Sequence, residues 1–157
     1  MAKKSTGKKT GGGRARNMMY AQKFPYLPGN TKEEKIDRIV ELIETKMMPK
    51  PERYGVIAHD QVTDKDGNPK EPDLHVMMSF KNPRYYSGVA KDLGDKPQYI
   101  EGWDDHEENG FAYLIHATKG ARNEGKHLYD ASEVRANFDY VSYMAELTAK
   151  ADRANQG

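Results

Sequence analysis

Cysteine is absent from the 157 residues. Its absence excludes disulfides, thiolate zinc sites and thiol nucleophiles, and it suits a reducing cytoplasm. No apolar run approaches the roughly 20 residues of a membrane span, so no membrane association is expected. The N-terminus is basic but has no apolar stretch behind it, which excludes a secretory signal. Net charge is scarce too, at +1. That figure hides an asymmetry: Lys3, Lys4, Lys8, Lys9, Arg14 and Arg16 put six positive charges and no acid before residue 17, leaving a net −5 for the remainder. A nucleic-acid binder is usually basic in its folded part. A mildly acidic one fits that role only if its acids gather at a metal or on a distal face.

The composition along the chain predicts one domain over residues 17–150 with a single core, a disordered basic tail at 1–16 and a frayed end at 151–157. The tail reads either as a phosphate-seeking arm or as a solubilising segment. Its Gly-Lys-Lys-Thr-Gly-Gly-Gly run is not a P-loop, because the glycine spacing is wrong and no strand precedes it. Asn17 to Tyr26 reads as a first strand. Thr31 with Glu34 reads as a capping box, followed by a helix with an Ile36, Ile39, Val40, Leu42, Ile43 stripe that Pro49 and Pro51 stop.

Arg53 to His59 reads as a buried strand, and Asp73 to Phe80 as a second. Between them, Asp66-Gly67 and Asn68-Pro69 mark turns. Asp64-x-Asp66-Gly67-Asn68 looks calcium-like, but an EF-hand needs its glycine sixth and a glutamate twelfth, and neither is present. Along the second strand, Leu74, Val76, Met78 and Phe80 face one way and Asp73, His75, Met77 and Ser79 the other. The loop returns the chain, so the two strands are expected to pair antiparallel, with His59 near His75. His59, Asp73 and His75, with Asp60 or Asp64 as a fourth group, make a metal-ligand set. Imidazole and carboxylate together suit manganese, magnesium or iron better than soft metals.

Later elements are a helix from Asn82 to Leu93, a strand from Gln98 to Trp103, a helix from about Asn109 to Thr118, a basic glycine-containing loop at Gly120 to Gly125, and a helical pattern from Phe138 to Lys150. The acids at Asp104 to Glu108 suit the first turn of a helix through its dipole. Tyr113 sits in the apolar run Phe111 to Ile115, where a tyrosine is by default a core residue. Beside a metal it would instead be a nucleophile able to attack phosphorus. Arg84, Tyr85, Tyr86, His116, Lys119 and Arg122 are candidates to contact a nucleic acid through charge or stacking.

The segments His59-Asp60, Pro72 to Val76, Ala112 to His116 and Lys126 to Asp130 together resemble the HUH endonuclease superfamily, most closely the rolling-circle replication initiators of small Gram-positive plasmids. The resemblance spans about Met18 to Tyr140. It implies an α+β, ferredoxin-like antiparallel sheet of about five strands with packed helices. It implies a metal-dependent nickase and strand transferase acting on single-stranded or hairpin-extruded origin DNA, with Tyr113 linked to the 5′ phosphate. It also implies Mn2+ or Mg2+ at His59 and His75. This chain departs from the pattern where Asp73 replaces the first histidine of the pair and Val62 stands where a carboxylate is common. No second tyrosine lies one turn from Tyr113, as Asn109 and Ala117 show. Initiators often carry a further oligomerisation or helicase segment, so a homo-oligomer is expected of a longer form. A relaxase, a viral-type initiator or a catalytically inactive origin-binding module are the competing readings.

Overall fold

Period-two patterning in the middle of the chain builds a sheet with two buried faces. The computed structural model describes residues 9–10 and 13–156. Among these the strands are β1 (Lys9–Thr10), β2 (Arg14–Lys23), β3 (Arg53–His59), β4 (Asp73–Tyr85), β5 (Ile100–Trp103) and β6 (Arg135–Ala136). The helices are α1 (Lys32–Thr45), α2 (Tyr86–Leu93), α3 (Glu107–Leu114), α4 (Lys119–Asn123) and α5 (Tyr140–Gln156). The sheet order is β1-β5-β2-β4-β3-β6, antiparallel at every junction. From β2 to β5 the chain runs β-α-β-β-α-β, which is the split βαβ arrangement of a ferredoxin-like fold.

Leu74, Val76, Met78 and Phe80 pack with Ile36, Ile39, Leu42 and Ile43 of α1 and Val89, Ala90 and Leu93 of α2. On the opposite face, Ile57 and Met77 pack with Phe111, Ala112, Leu114 and Ile115 around α3 and with Tyr140 and Met144 of α5. One core was expected from the sequence. The structure has two clusters, because helices cover both faces of the sheet. Fully burying a side chain such as Ile43 or Leu114 contributes roughly 1.5–3 kcal/mol, so each layer is firmly held.

Thr31 caps α1, its hydroxyl accepting from the Glu34 amide at 3.1 Å, while Glu34 reaches back to the Asn30 amide at 2.7 Å. The β3–β4 hairpin matches expectation, with His59 opposite Asp73 and Ile57 opposite His75. Other boundaries differ. Most of the basic tail lies outside the described residues, but Lys9–Thr10 pair with β5 and Arg14 already pairs with Tyr85. Ladder hydrogen bonds use backbone groups and so recruit polar sequence as readily as apolar. The helix expected from Asn82 begins at Tyr86. Until then the chain stays in β4, and Pro83 sits where the β2–β4 register shifts, a place that needs no ladder donor. The helix expected to reach Thr118 ends at Leu114, and the segment expected as a loop at Gly120 contains α4. The α5 helix continues through Gln156, past the expected fraying point. Glu107 and Glu108 lie in the first turn of α3, and Glu107 also pairs with Arg53 at 2.8 Å.

Candidate metal centre and facing tyrosine

His59 ends β3 and Asp73 begins β4, directly across the ladder from it. His75 follows two residues on, on the same face. The register therefore gathers three donors at the mouth of the hairpin, with one ligand atom of each lying within 4.8 Å of the others. Asp73 Oδ1 is 3.2 Å from His75 Nδ1 and 3.8 Å from His59 Nδ1.

The tautomer of His59 follows from its neighbour. Nε2 lies 2.7 Å from the Leu114 carbonyl oxygen, which can only accept, so Nε2 carries the hydrogen and Nδ1 presents a lone pair to Asp73 and His75. A histidine that donates its other N–H to a backbone carbonyl is arranged as metal-bound histidines are. Burial pushes the His59 imidazole down to about 3, and the facing rings of His75 and His116 add to the effect, so the ring is neutral and available as a ligand. Asp73 Oδ1 and His75 Nδ1 are buried and make no hydrogen bond within the protein. Buried polar atoms without a hydrogen bond are costly, and two of them side by side next to His59 Nδ1 fit a divalent cation. The donor set, two imidazoles and one carboxylate, fits a divalent cation.

Two aspartates expected as a fourth ligand are elsewhere. Asp60 pairs with Lys32 at 3.1 Å. Asp64 Oδ1 accepts from the amides of Asp66 and Asn68, capping the turn in the hairpin loop. Neither joins the cluster.

Tyr113 comes from α3, whose close seating on the sheet depends on two glycines. A Cβ on Gly110 would strike Met77 and Trp103, and one on Gly55 would come within 2.9 Å of Leu114. The helix end is tied down by tertiary bonds to its last carbonyls. Phe111 accepts from the Tyr140 hydroxyl at 2.5 Å, Leu114 from His59, and Ile115 from the Tyr129 amide at 3.0 Å. Helix C-termini leave such acceptors without partners, so these bonds fix the final turn. The Tyr113 ring centroid lies 5.8 Å from that of His75 and 6.4 Å from that of His59. Tyr113 is half-buried, and with His75 it lines a groove of about 930 Å3. Met19, Tyr99, Trp103, His106, Gly120 and Lys126 are among its other walls.

The expected nucleic-acid contacts divide. Tyr86 is fully buried in the α1–α2 core and cannot stack on a base, which corrects that assignment. Arg84 is engaged with Asp92 at 3.3 Å and the Pro49 carbonyl at 3.2 Å, while Tyr85 is 58 % exposed. Both lie at the far end of β4, roughly 35 Å along the strand from Asp73. His116 is also buried. Its Nδ1 donates to the His127 carbonyl at 2.8 Å and its ring packs against His59, so it supports the site rather than reaching a phosphate. Lys119 and Arg122 are exposed on α4, beside the groove residues Thr118, Gly120 and Ala121. The sequence reading missed two neighbours. Tyr129 stacks on His59 at 5.0 Å, and Lys126 donates to the Tyr113 hydroxyl oxygen at 3.1 Å. Both fall in the Lys126 to Asp130 segment that carried part of the resemblance, but no spacing along the chain reveals which atoms they meet.

A split βαβ antiparallel sheet with a His-Asp-His cluster at the mouth of its central hairpin defines an HUH-type domain. The family model of the plasmid replication protein origin binding domain matches residues 16–141, and the chain belongs to that family. No curated protein matches it.

Proposed function

We propose that the protein is a rolling-circle replication initiator that nicks one strand of a plasmid origin, in the cytoplasm, through a covalent 5′-phosphotyrosine on Tyr113. The observation that carries this reading is that Tyr113 and His75 line one groove with ring centroids 5.8 Å apart. A phosphate seated there would meet the nucleophile and the ligand cluster together.

A single strand fits the groove better than a duplex, because the aromatic walls of Tyr99 and Trp103 offer faces to unpaired bases. Tyr113 attacks phosphorus through its hydroxyl oxygen. The bond to the 3′ oxygen breaks, and the strand ahead of the nick keeps a free 3′ hydroxyl for a polymerase. A divalent ion held by His59, Asp73 and His75 would neutralise charge on the phosphate oxygens and polarise the scissile bond. The chain's own contribution is positioning, which dominates phosphoryl transfer. The tied end of α3 fixes the tyrosine, and the Leu114 carbonyl fixes the tautomer of His59.

The test is a denaturing gel of the protein incubated with manganese and single-stranded oligonucleotides tiling the origin. A covalent adduct that is absent in Tyr113→Phe supports the reading. Oligonucleotide binding without any adduct in either protein overturns it in favour of an inactive origin-binding module.

A further inference from the structure

Among the described residues, the Tyr113 hydroxyl oxygen accepts a hydrogen bond from Lys126, 13 residues later in the chain. Its ammonium lies 3.1 Å from that oxygen and 5.5 Å from the centre of the ring. Its other ionic neighbour, Glu124, is 3.7 Å away with its side chain 67 % exposed to solvent, too loose to neutralise it. The lysine does not hang on a free loop. Its own amide donates to the Ala121 carbonyl at 3.1 Å, the carbonyl of the next residue accepts from His116, and the Tyr129 amide donates to Ile115. These three bonds sew residues 126–129 to the ends of α3 and α4, the elements that bracket the tyrosine.

We infer that Lys126 is a catalytic residue whose fixed positive charge holds the Tyr113 oxygen in attacking position and balances the negative charge on it, both when it attacks phosphorus and when it leaves. This rests on Tyr113 being the nucleophile. The lysine is not the base. Its hydrogen bond to Tyr113 raises its pKa, so it stays charged and takes up no proton. The phenol proton passes to water. The oxygen–phosphorus bond forms, the bond to the 3′ oxygen breaks with its electron pair, and that oxygen takes a proton from water. In the rejoining step a 3′ hydroxyl gives its proton to water and attacks phosphorus, and the tyrosine oxygen departs as a phenolate against the same ammonium. The charge is preorganised and half-buried, where it acts more strongly than in water.

The experiment measures the rate of adduct formation by the full chain with manganese, at saturating and sub-saturating origin oligonucleotide. Lys126→Met is expected to lower the saturated rate about 100-fold, as loss of one preorganised donor does, with the half-saturating concentration unchanged. Lys126→Arg restores much of the rate, and added ethylammonium partly restores it in Lys126→Ala, a recovery that no purely structural role would give. A higher half-saturating concentration at an unchanged saturated rate would make Lys126 a phosphate contact and overturn the inference, as would wild-type behaviour of Lys126→Met. Tyr113→Phe separates the two readings. If it still forms the adduct, the nucleophile assignment fails and the inference with it. If it does not while Lys126→Met reacts normally, only the inference fails.

Discussion

His59 and Leu114 are joined by a 2.7 Å hydrogen bond from the imidazole Nε2 to the carbonyl that follows Tyr113 in the chain. One bond thus sets the lone pair that His59 turns towards the candidate metal cluster and anchors the helix end that presents the tyrosine. His75 has no such backbone tie: its buried Nδ1 makes no hydrogen bond and faces the Asp73 carboxylate at 3.2 Å.

The two histidines should therefore separate in stability. In EDTA, His59→Ala is expected to cost about 2–3 kcal/mol, from a lost buried hydrogen bond, an orphaned carbonyl and a cavity. His75→Ala is expected to cost less under the same conditions, because it breaks no hydrogen bond to the backbone and leaves no carbonyl without its donor. Urea unfolding of both variants makes the comparison. Equal losses would mean the Leu114 bond carries no special weight.

Metal binding should stabilise the fold by mass action. Manganese at about 100 times its dissociation constant adds about 2.7 kcal/mol to a protein that binds it only when folded. The rise in melting temperature should vanish in Asp73→Ala. It should survive in Asp60→Ala and Asp64→Ala, whose carboxylates are committed to Lys32 and to the turn.

Acid should unfold the metal-free protein early. Burial holds His59 near 3 and lowers His116 in the same direction, whereas an unfolded histidine titrates near 6.5. Below that value the unfolded chain binds more protons than the native one, so stability is full above about pH 6.5 and falls as pH drops towards 3. The slope approaches about 1.4 kcal/mol per pH unit for each group fully engaged. Melting curves in EDTA between pH 7.5 and 4.5 should show a fall that His59→Gln reduces.

Seating of α3 can be tested without touching a polar group. Gly110→Ala pushes a methyl into Met77 and Trp103, and overpacking of this kind typically costs about 1–3 kcal/mol. The displaced helix carries Tyr113 with it, so adduct formation should fall more steeply than stability. Gly120→Ala meets nothing within 4 Å and should leave stability as in the wild type.

The strands that hold the ligands were readable because local signals agree there. Apolar alternation in β4, a buried run in β3 and turn residues between them determine register, and register determines which donors meet. Thr31 was legible as a cap for the same reason. The misreadings fall where tertiary structure overrides local preference. Tyr86 looks like an exposed aromatic in a polar stretch, but it fills the space above Gly102. Asn82-Pro83 signals a helix start, yet the irregular β2–β4 pairing keeps the chain extended there. Lys126 was invisible as a partner of Tyr113, because their meeting depends on where α4 returns the chain.

The tip of the hairpin loop between His59 and Asp73 closes on itself, while its base is tied to the body by Asp60 to Lys32, by the Gln61 amide to the Tyr129 hydroxyl and by the Phe24 amide to the Pro72 carbonyl. Thr63 bridges Pro69, the Lys70 amide bonds the Val62 carbonyl, and Asp64 organises the turn at its tip. The two residues that flank it already face each other across the ladder. The tip from Val62 to Lys70 is therefore an interchangeable cartridge: its length and sequence can change while His59, Asp73 and His75 stay in place. The donor cluster and the surface displayed beside it can be altered independently, by natural drift or by graft.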